Sequence, residues 1–235
     1  MFAARKYLEA GLSIIPLTYR GKYADDQALR NSGSLNIRGK PSYSRFRNKP
    51  PGDREIDIWF GSELRNIGIL GTSSLTIFDF DDNKAFTIWK KKYADIANNT
   101  AIQKTNQGYH VFLKTERSIS TFLSTKFTLH NTDFKKIGDV IGNGYYCTAW
   151  PSIHPNGYEY HWLKGNAPWE CGILKINQYD DVGIKIIKDR VRYLRFLYLL
   201  FLKPANSINM INRKIVSFFE ERTTENQELI ERKGE

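Results

Sequence analysis

The segment Thr76-Ile77-Phe78-Asp79-Phe80-Asp81-Asp82 constrains this chain most, because it is an apolar strand that abruptly carries carboxylates. Side chains alternate along a strand, so Asp79 and Asp81 project to one face, about 7 Å apart, while Phe78 and Phe80 face the other. Two carboxylates on one face of a buried strand repel unless a cation sits between them. Hard oxygen ligands suit Mg²⁺ or Mn²⁺, and two such ions about 3.5 to 4 Å apart activate an attacking oxygen and stabilise a leaving one in phosphoryl transfer. The alternative is helix capping. Asp82 is placed to cap a helix starting at Lys84, whereas Asp79 and Asp81 lie too far inside the strand.

Two further strands carry single polar residues. His110 lies in Asn106-Gln107-Gly108-Tyr109-His110-Val111-Phe112, and Asp139 in Lys136-Ile137-Gly138-Asp139-Val140-Ile141. Alone, the histidine reads as a satisfied core or surface group more often than a ligand, and the aspartate as a turn residue as often as a ligand. Their even spacing changes that: His110 falls 29 residues after Asp81 and 29 before Asp139. A third element runs Trp150-Pro151-Ser152-Ile153-His154-Pro155-Asn156-Gly157, where two prolines fix a loop presenting a hydroxyl and an imidazole as donors to a phosphate. A serine hydrolase is disfavoured, for there is no Gly-x-Ser-x-Gly elbow, and neither a Walker A sequence nor Gly-x-Gly-x-x-Gly occurs.

Around these motifs the pattern is mixed α/β with a substantial antiparallel part. Helix is expected over Phe2 to Ala10, strand over Leu12 to Leu17, and an irregular basic loop or flexible arm over Tyr19 to Pro50. Asp53 is expected to cap a helix bearing Ile56, Trp59 and Phe60, followed by strands over Asn66 to Leu70 and Leu75 to Asp81. From Asn83, residues Phe86, Trp89, Tyr93 and Ile96 recur at helical spacing. Strands are expected over Gly108 to Lys114, Ile137 to Ile141, Tyr145 to Ala149 and Tyr158 to Trp162. Near the C-terminus, Ile187, Val191, Leu194, Tyr198 and Phe201 form one helical stripe, and Ile208 to Glu221 a second helix.

Composition narrows the class. With 235 residues, 41% of them hydrophobic, the chain has ample material for a core. Its net charge of +10 favours an anionic partner, nucleic acid first, and residues 1–50 hold ten basic against three acidic residues. The most apolar stretch, Val191 to Leu202, is interrupted by Arg192 and Arg195, so no membrane span is expected. Residues 1–10 lack the apolar centre of a signal peptide, which makes the expected location cytoplasmic. Cys147 and Cys171 read as ordinary thiols, with a single bridge as the alternative and no zinc site.

As an ordered set, Leu8 to Leu17, Ile56 to Phe60, Asn66-Ile67-Gly68-Ile69, the Asp79/Asp81 strand, Gly108-Tyr109-His110, Asp139 and the Pro-Ser-x-His-Pro-x-Gly-x-x-Tyr run resemble the bifunctional primase/polymerase (Prim-Pol) domain of the archaeo-eukaryotic primase superfamily. The resemblance runs from about residue 3 to 165. It implies an α+β catalytic core over residues 1–165, an αβ unit plus an antiparallel unit like that of RNA-recognition modules, with the active site in the cleft between them. Residues 166–235 would be a mainly helical extension.

Carried over by residue, the resemblance assigns Asp79, Asp81 and Asp139 to two divalent ions, Mg²⁺ or Mn²⁺, and to catalysis. His110 would bind the triphosphate, Ser152 and His154 would form a loop contacting phosphates, and Lys22 or Lys40 would supply the basic residue after the first strand. Arg38, Lys40, Arg45 and Arg47 would track nucleic acid. Implied partners are a single-stranded DNA template with primer, nucleoside triphosphates, and a helicase or other replication, repair or CRISPR-associated protein. Many members carry Ser where this chain has Gly108, so a hydroxyl contact to the triphosphate is missing or replaced by backbone N–H. The expected activity is template-dependent nucleotidyl transfer that makes or extends primers. A metal-dependent nuclease using the same aspartates and a non-catalytic nucleic-acid-binding module remain the alternatives.

Overall fold

The computed structural model describes residues 1–115 and 136–177 together with strands Phe127–His130 and Lys185–Lys188, all within one compact unit, Met1–Asp189. In chain order the elements are α1 (Phe2–Glu9), β1 (Ile14–Leu17), α2 (Asp26–Asn31), a 3-10 turn (Ser44–Arg47), α3 (Asp53–Phe60), β2 (Asn66–Leu70), β3 (Leu75–Phe80), α4 (Asn83–Lys92) and α5 (Ala94–Asn98). There follow β4 (Ile102–Lys104), β5 (Tyr109–Thr115), β6 (Phe127–His130), β7 (Lys136–Ile141), β8 (Tyr146–Ala149), β9 (His161–Trp162), α6 (Pro168–Cys171), β10 (Lys175–Ile176) and β11 (Lys185–Lys188).

Two sheets result. The smaller is antiparallel in the order β1-β2-β8; the larger has eight strands, β11-β6-β7-β3-β5-β4-β9, with β10 added parallel to β5. The chain passes from one sheet to the other twice, β2 into β3 and β7 into β8, and these runs are antiparallel partners in both sheets. They cross at Gly71, whose N–H donates to the Tyr145 carbonyl at 2.9 Å and which bridges to Asn143. One long ribbon therefore bends through both layers and fixes them against each other. This is the α+β architecture that the resemblance implied, with the antiparallel part that the sequence pattern indicates.

Alternation along β3 sorts the core. Phe78 and Phe80 pack with Phe86 and Trp89 of α4, Val111 and Leu113 of β5 and Val140 of β7. Leu75 and Ile77 join the other cluster, with Phe112 and with Tyr7, Ile56 and Trp59 of the N-terminal helices. Each fully buried aromatic of this kind contributes about 1.5 to 3 kcal/mol relative to exposure. Asp79 shares the face of Ile77, so its carboxylate looks toward the N-terminal layer and away from α4.

Several expectations need correction. The segment from Tyr19 to Pro50 is not a loose arm: Asp25 caps α2 by accepting the Ala28 N–H at 2.9 Å, Leu35 bridges Pro41, and Ala28, Leu29 and Phe46 are buried. Phe46 meets Trp59 edge-on at 5.1 Å, and the Trp59 indole N–H donates to the Ser32 hydroxyl at 3.0 Å. These anchors lack a period because they come from short turns. Gly52, not Asp53, is the residue before α3, and Glu55 Oε2 accepts its N–H at 3.0 Å. The single helix expected after Asn83 breaks at Tyr93, where φ is −114° and ψ 46°, into α4 and α5.

Strand β4 was not anticipated, and the strand expected from Tyr158 shortens to His161–Trp162. Ile187 lies in β11, not in a helix; the rest of its stripe and the helix expected over 208–221 lie outside the described residues. Cys147 and Cys171 are free thiols. No helix among the described residues is long and apolar enough to cross a membrane.

Candidate active site

The register of the large sheet builds one polar row. Asp79 on β3 lies directly opposite Asp139 on β7 and His110 on β5, and His110 in turn lies opposite Gln103 on β4. Directly opposed residues bring their Cβ atoms to about 4.5 to 5.5 Å. Residues spread over 79–139 of the chain thus meet on one face, by pairing alone.

Backbone contact on both sides of β3 permits this closeness. A Cβ at Gly108 would be driven into the Phe80 carbonyl oxygen, and one at Gly138 into the Asp79 carbonyl oxygen. Only glycine lets β5 and β7 reach β3 there. Gly108 therefore has no room for the serine side chain that many members of the resembled family carry at this point.

Each carboxylate of the row has a basic side chain beside it. His110 Nε2 sits 3.3 Å from Asp79 Oδ1, and Lys136 Nζ 3.1 Å from Asp139 Oδ1. Two carboxylates side by side repel, and a basic side chain flanks each. The His110 ring is almost fully buried, which by itself disfavours its charge; interactions with Cys147 and with the Asp79 carboxylate outweigh that and push its pKa up to about 10. Gln103 Nε2, 3.1 Å from His110 Nδ1, pulls the other way, since an amide N–H donates only to a ring nitrogen without a proton.

Asp81 lies one residue past the end of β3, is exposed, and donates its backbone N–H to the Ile137 carbonyl at 2.9 Å. Asp82 caps α4, accepting the N–H groups of Lys84 and Ala85 at 2.8 and 3.0 Å. Among the described residues no three His, Cys, Asp or Glu side chains converge as a metal centre. The donor chemistry of the row nonetheless suits a hard divalent cation: two half-buried carboxylates lie opposite each other on neighbouring strands.

The Trp150–Tyr160 loop approaches the row through Tyr160, whose ring stacks on His110 at 6.3 Å and 26° and lies 6.3 Å from the His154 ring. Burial pushes the Tyr160 phenol up to about 12, so it stays a neutral donor. Ser152 does not present its hydroxyl to the row. It is buried, and its Oγ accepts the Ile67 N–H at 2.8 Å and donates to the Ile67 carbonyl at 3.3 Å. His154 Nδ1 pairs with Asn156 Oδ1 at 2.7 Å, and Asn156 reaches Asn106 of the β4–β5 turn at 3.0 Å.

Buried Asn66 ties this loop to the turn after β1. Its amide donates to the carbonyls of Gly21 and Ile153 at 2.9 and 2.8 Å and accepts the Ile153 N–H at 3.1 Å. Lys22 is exposed in that turn. So is Arg20, which sequence reading passed over; it adopts φ +50°, and a Cβ at Gly157 would lie 3.3 Å from its Nη2. A non-glycine residue at positive φ is the kind of local signal that only coordinates reveal.

The basic residues expected to track nucleic acid divide into three kinds. Arg38 and Lys40 are exposed around a turn that Asn36 Oδ1 organises by accepting both their backbone N–H groups. Arg45 pairs with Glu55 at 2.6 Å, donates to Ser34 at 3.1 Å and lies over the Phe46 ring. Arg47 lines a cavity of about 420 Å³ with Ser13, Phe46, Thr72, Ser73 and Ser74, and its Nε is buried without a partner. That cavity adjoins the start of β3, five residues before Asp79, or roughly 16 Å along the strand.

No curated protein matches the chain. A family model, described as the N-terminal domain of bifunctional DNA primase/polymerase, matches residues 4–174, a span that holds every element from β1 to α6 and the whole polar row. The chain belongs to the bifunctional DNA primase/polymerase (Prim-Pol) family, whose members are generally nucleotidyltransferases acting on DNA.

Proposed function

We propose that this chain is a template-dependent DNA primase/polymerase that joins nucleoside triphosphates on single-stranded DNA at the Asp139–Asp79–His110 row. The observation that carries this is the register itself, which sets two carboxylates and a histidine side by side on the face of β3 turned away from α4. Asp79 and Asp139, joined by Asp81 two residues further along the chain, would hold Mg²⁺ or Mn²⁺. Such ions, when bound, help deprotonate a 3′-hydroxyl and stabilise the charge of departing pyrophosphate.

The rest is positioning and electrostatics. His110, held between Asp79 and Tyr160, contacts the triphosphate from the edge of the row. His154, Lys22 and Arg20 bring positive charge or N–H donors to the same end of the cleft, because Asn66 clamps their two segments together. Ser152 acts through the backbone of β2, fixing the loop in place of donating to a phosphate. Arg38, Lys40 and Arg47 provide phosphate contacts for template or primer.

Primer extension with labelled nucleotides and Mg²⁺ or Mn²⁺, with and without primer, tests the reading. Wild type should yield elongated products, and Asp79→Ala should lower incorporation by about a hundredfold or more. Shortening of the labelled strand, or binding with neither elongation nor shortening, would overturn it.

A further inference from the structure

Gln103 is fully buried on β4 opposite His110. A buried primary amide needs an acceptor for each N–H and a donor for its oxygen. Backbone groups decide which end is which. The Trp150 N–H donates to Gln103 Oε1 at 2.8 Å, and Gln103 Nε2 donates to the Thr148 carbonyl at 3.0 Å. Turning the amide over would set donor against donor and acceptor against acceptor. The second Nε2 hydrogen is thereby aimed at His110 Nδ1, 3.1 Å away.

The opposite edge of the ring meets Asp79 at 3.3 Å, and its face lies on Tyr160. Thr148 and Trp150 are not on the sheet that carries His110; Thr148 lies in β8 of the smaller sheet and Trp150 opens the loop of Ser152 and His154. One side chain therefore joins the ring of His110 to the backbone of the loop across the cleft.

We propose that Gln103 is a positioning residue for nucleotide binding, holding the His110 ring with Nε2 toward Asp79 and in step with the Trp150–His154 loop. The proposal rests on the reading of His110 as a triphosphate contact. Without Gln103 the ring can rotate about its bond to Cβ, and apparent affinity falls by the fraction of time it is wrongly turned. Outer partners of metal-bound histidines are worth about 10- to 100-fold in affinity or activity, and the same order is expected for a histidine held against a phosphate.

The test uses the full chain with Gln103→Leu, Gln103→Met and Gln103→Glu. Leucine and methionine remove donor and acceptor; glutamate keeps an acceptor for the Trp150 N–H and has no N–H for His110. Two readouts are taken: nuclear magnetic resonance of the His110 ring nitrogens in metal-free protein, and KM and kcat for the nucleoside triphosphate on a primed template. We expect the ring resonances to move in every folded variant and KM to rise about 10- to 100-fold with a smaller fall in kcat. Unmoved ring resonances or an unchanged KM in a folded variant overturns the proposal, and so, in wild type, does the absence of any nuclear Overhauser contact between the Gln103 amide protons and the His110 ring. If wild type incorporates no nucleotide, the proposed reaction fails, and the ring measurements alone decide the positioning role.

Discussion

At the scale of single residues, closeness of backbone governs what the site can contain. Gly108 and Gly138 flank β3, and a methyl on either would collide with a β3 carbonyl oxygen, of Phe80 and Asp79 respectively. Gly108→Ser should therefore destabilise the fold by about 1 to 3 kcal/mol, the usual cost of forcing atoms into a packed interior. A urea melt reads this directly, and a variant as stable as wild type would contradict the close approach. Because Gly108 is two residues from His110, incorporation should fall along with stability. Residue types here answer to strand spacing first and to chemistry second.

Among the elements, α2 shows how a short helix is held in a segment without periodicity. Asp25 caps it and also accepts from Arg65 Nε at 2.8 Å, an ion pair whose arginine is almost wholly buried. Burial acts to raise the Asp25 pKa, but the N–H of Ala28 and the Arg65 guanidinium outweigh it, and the net shift is downward from 3.8. The sign follows from linkage. Below 3.8 the unfolded chain takes up the proton first, so the contribution of Asp25 is fully present above that pH and is lost as pH falls through the lower folded-state value. Asp25→Ala should cost about 1 kcal/mol at neutral pH, and its deficit against wild type should shrink in acid. Urea midpoints measured across the acid range check this; a deficit that does not shrink in acid would contradict the assigned shift.

For the whole molecule, a net charge of +10 predicts that binding to nucleic acid weakens with salt, and on the proposed reading Arg47 and Arg45 differ in their share. Arg47 has a buried Nε without a partner beside an open cavity, whereas Arg45 is engaged by Glu55 and Ser34. Arg47→Ala should make the slope of log affinity against log salt shallower by about 0.7 on single-stranded DNA, as expected for one lost phosphate contact. Arg45→Ala should leave that slope unchanged and cost under about 1 kcal/mol of stability. Fluorescence anisotropy titrations at several salt concentrations distinguish the two. The sequence by itself determined the elements with a local signature: the carboxylate-bearing strand, the Asp82 cap, the amphipathic Phe86/Trp89 helix, and the ordered motifs that mark the family. Alternation and capping are properties of neighbours in the chain, so they can be read from it. Only the tertiary structure decided that Asp139, sixty residues after Asp79, would lie opposite it. It also decided that Ser152 would turn its hydroxyl to Ile67, that Gln103 would reach His110, and that Ala28, Leu29 and Phe46 would anchor the Tyr19–Pro50 segment. Alternation marks which side of each strand is buried, but which strand pairs with which is settled only when those faces are buried together in the assembled sheets.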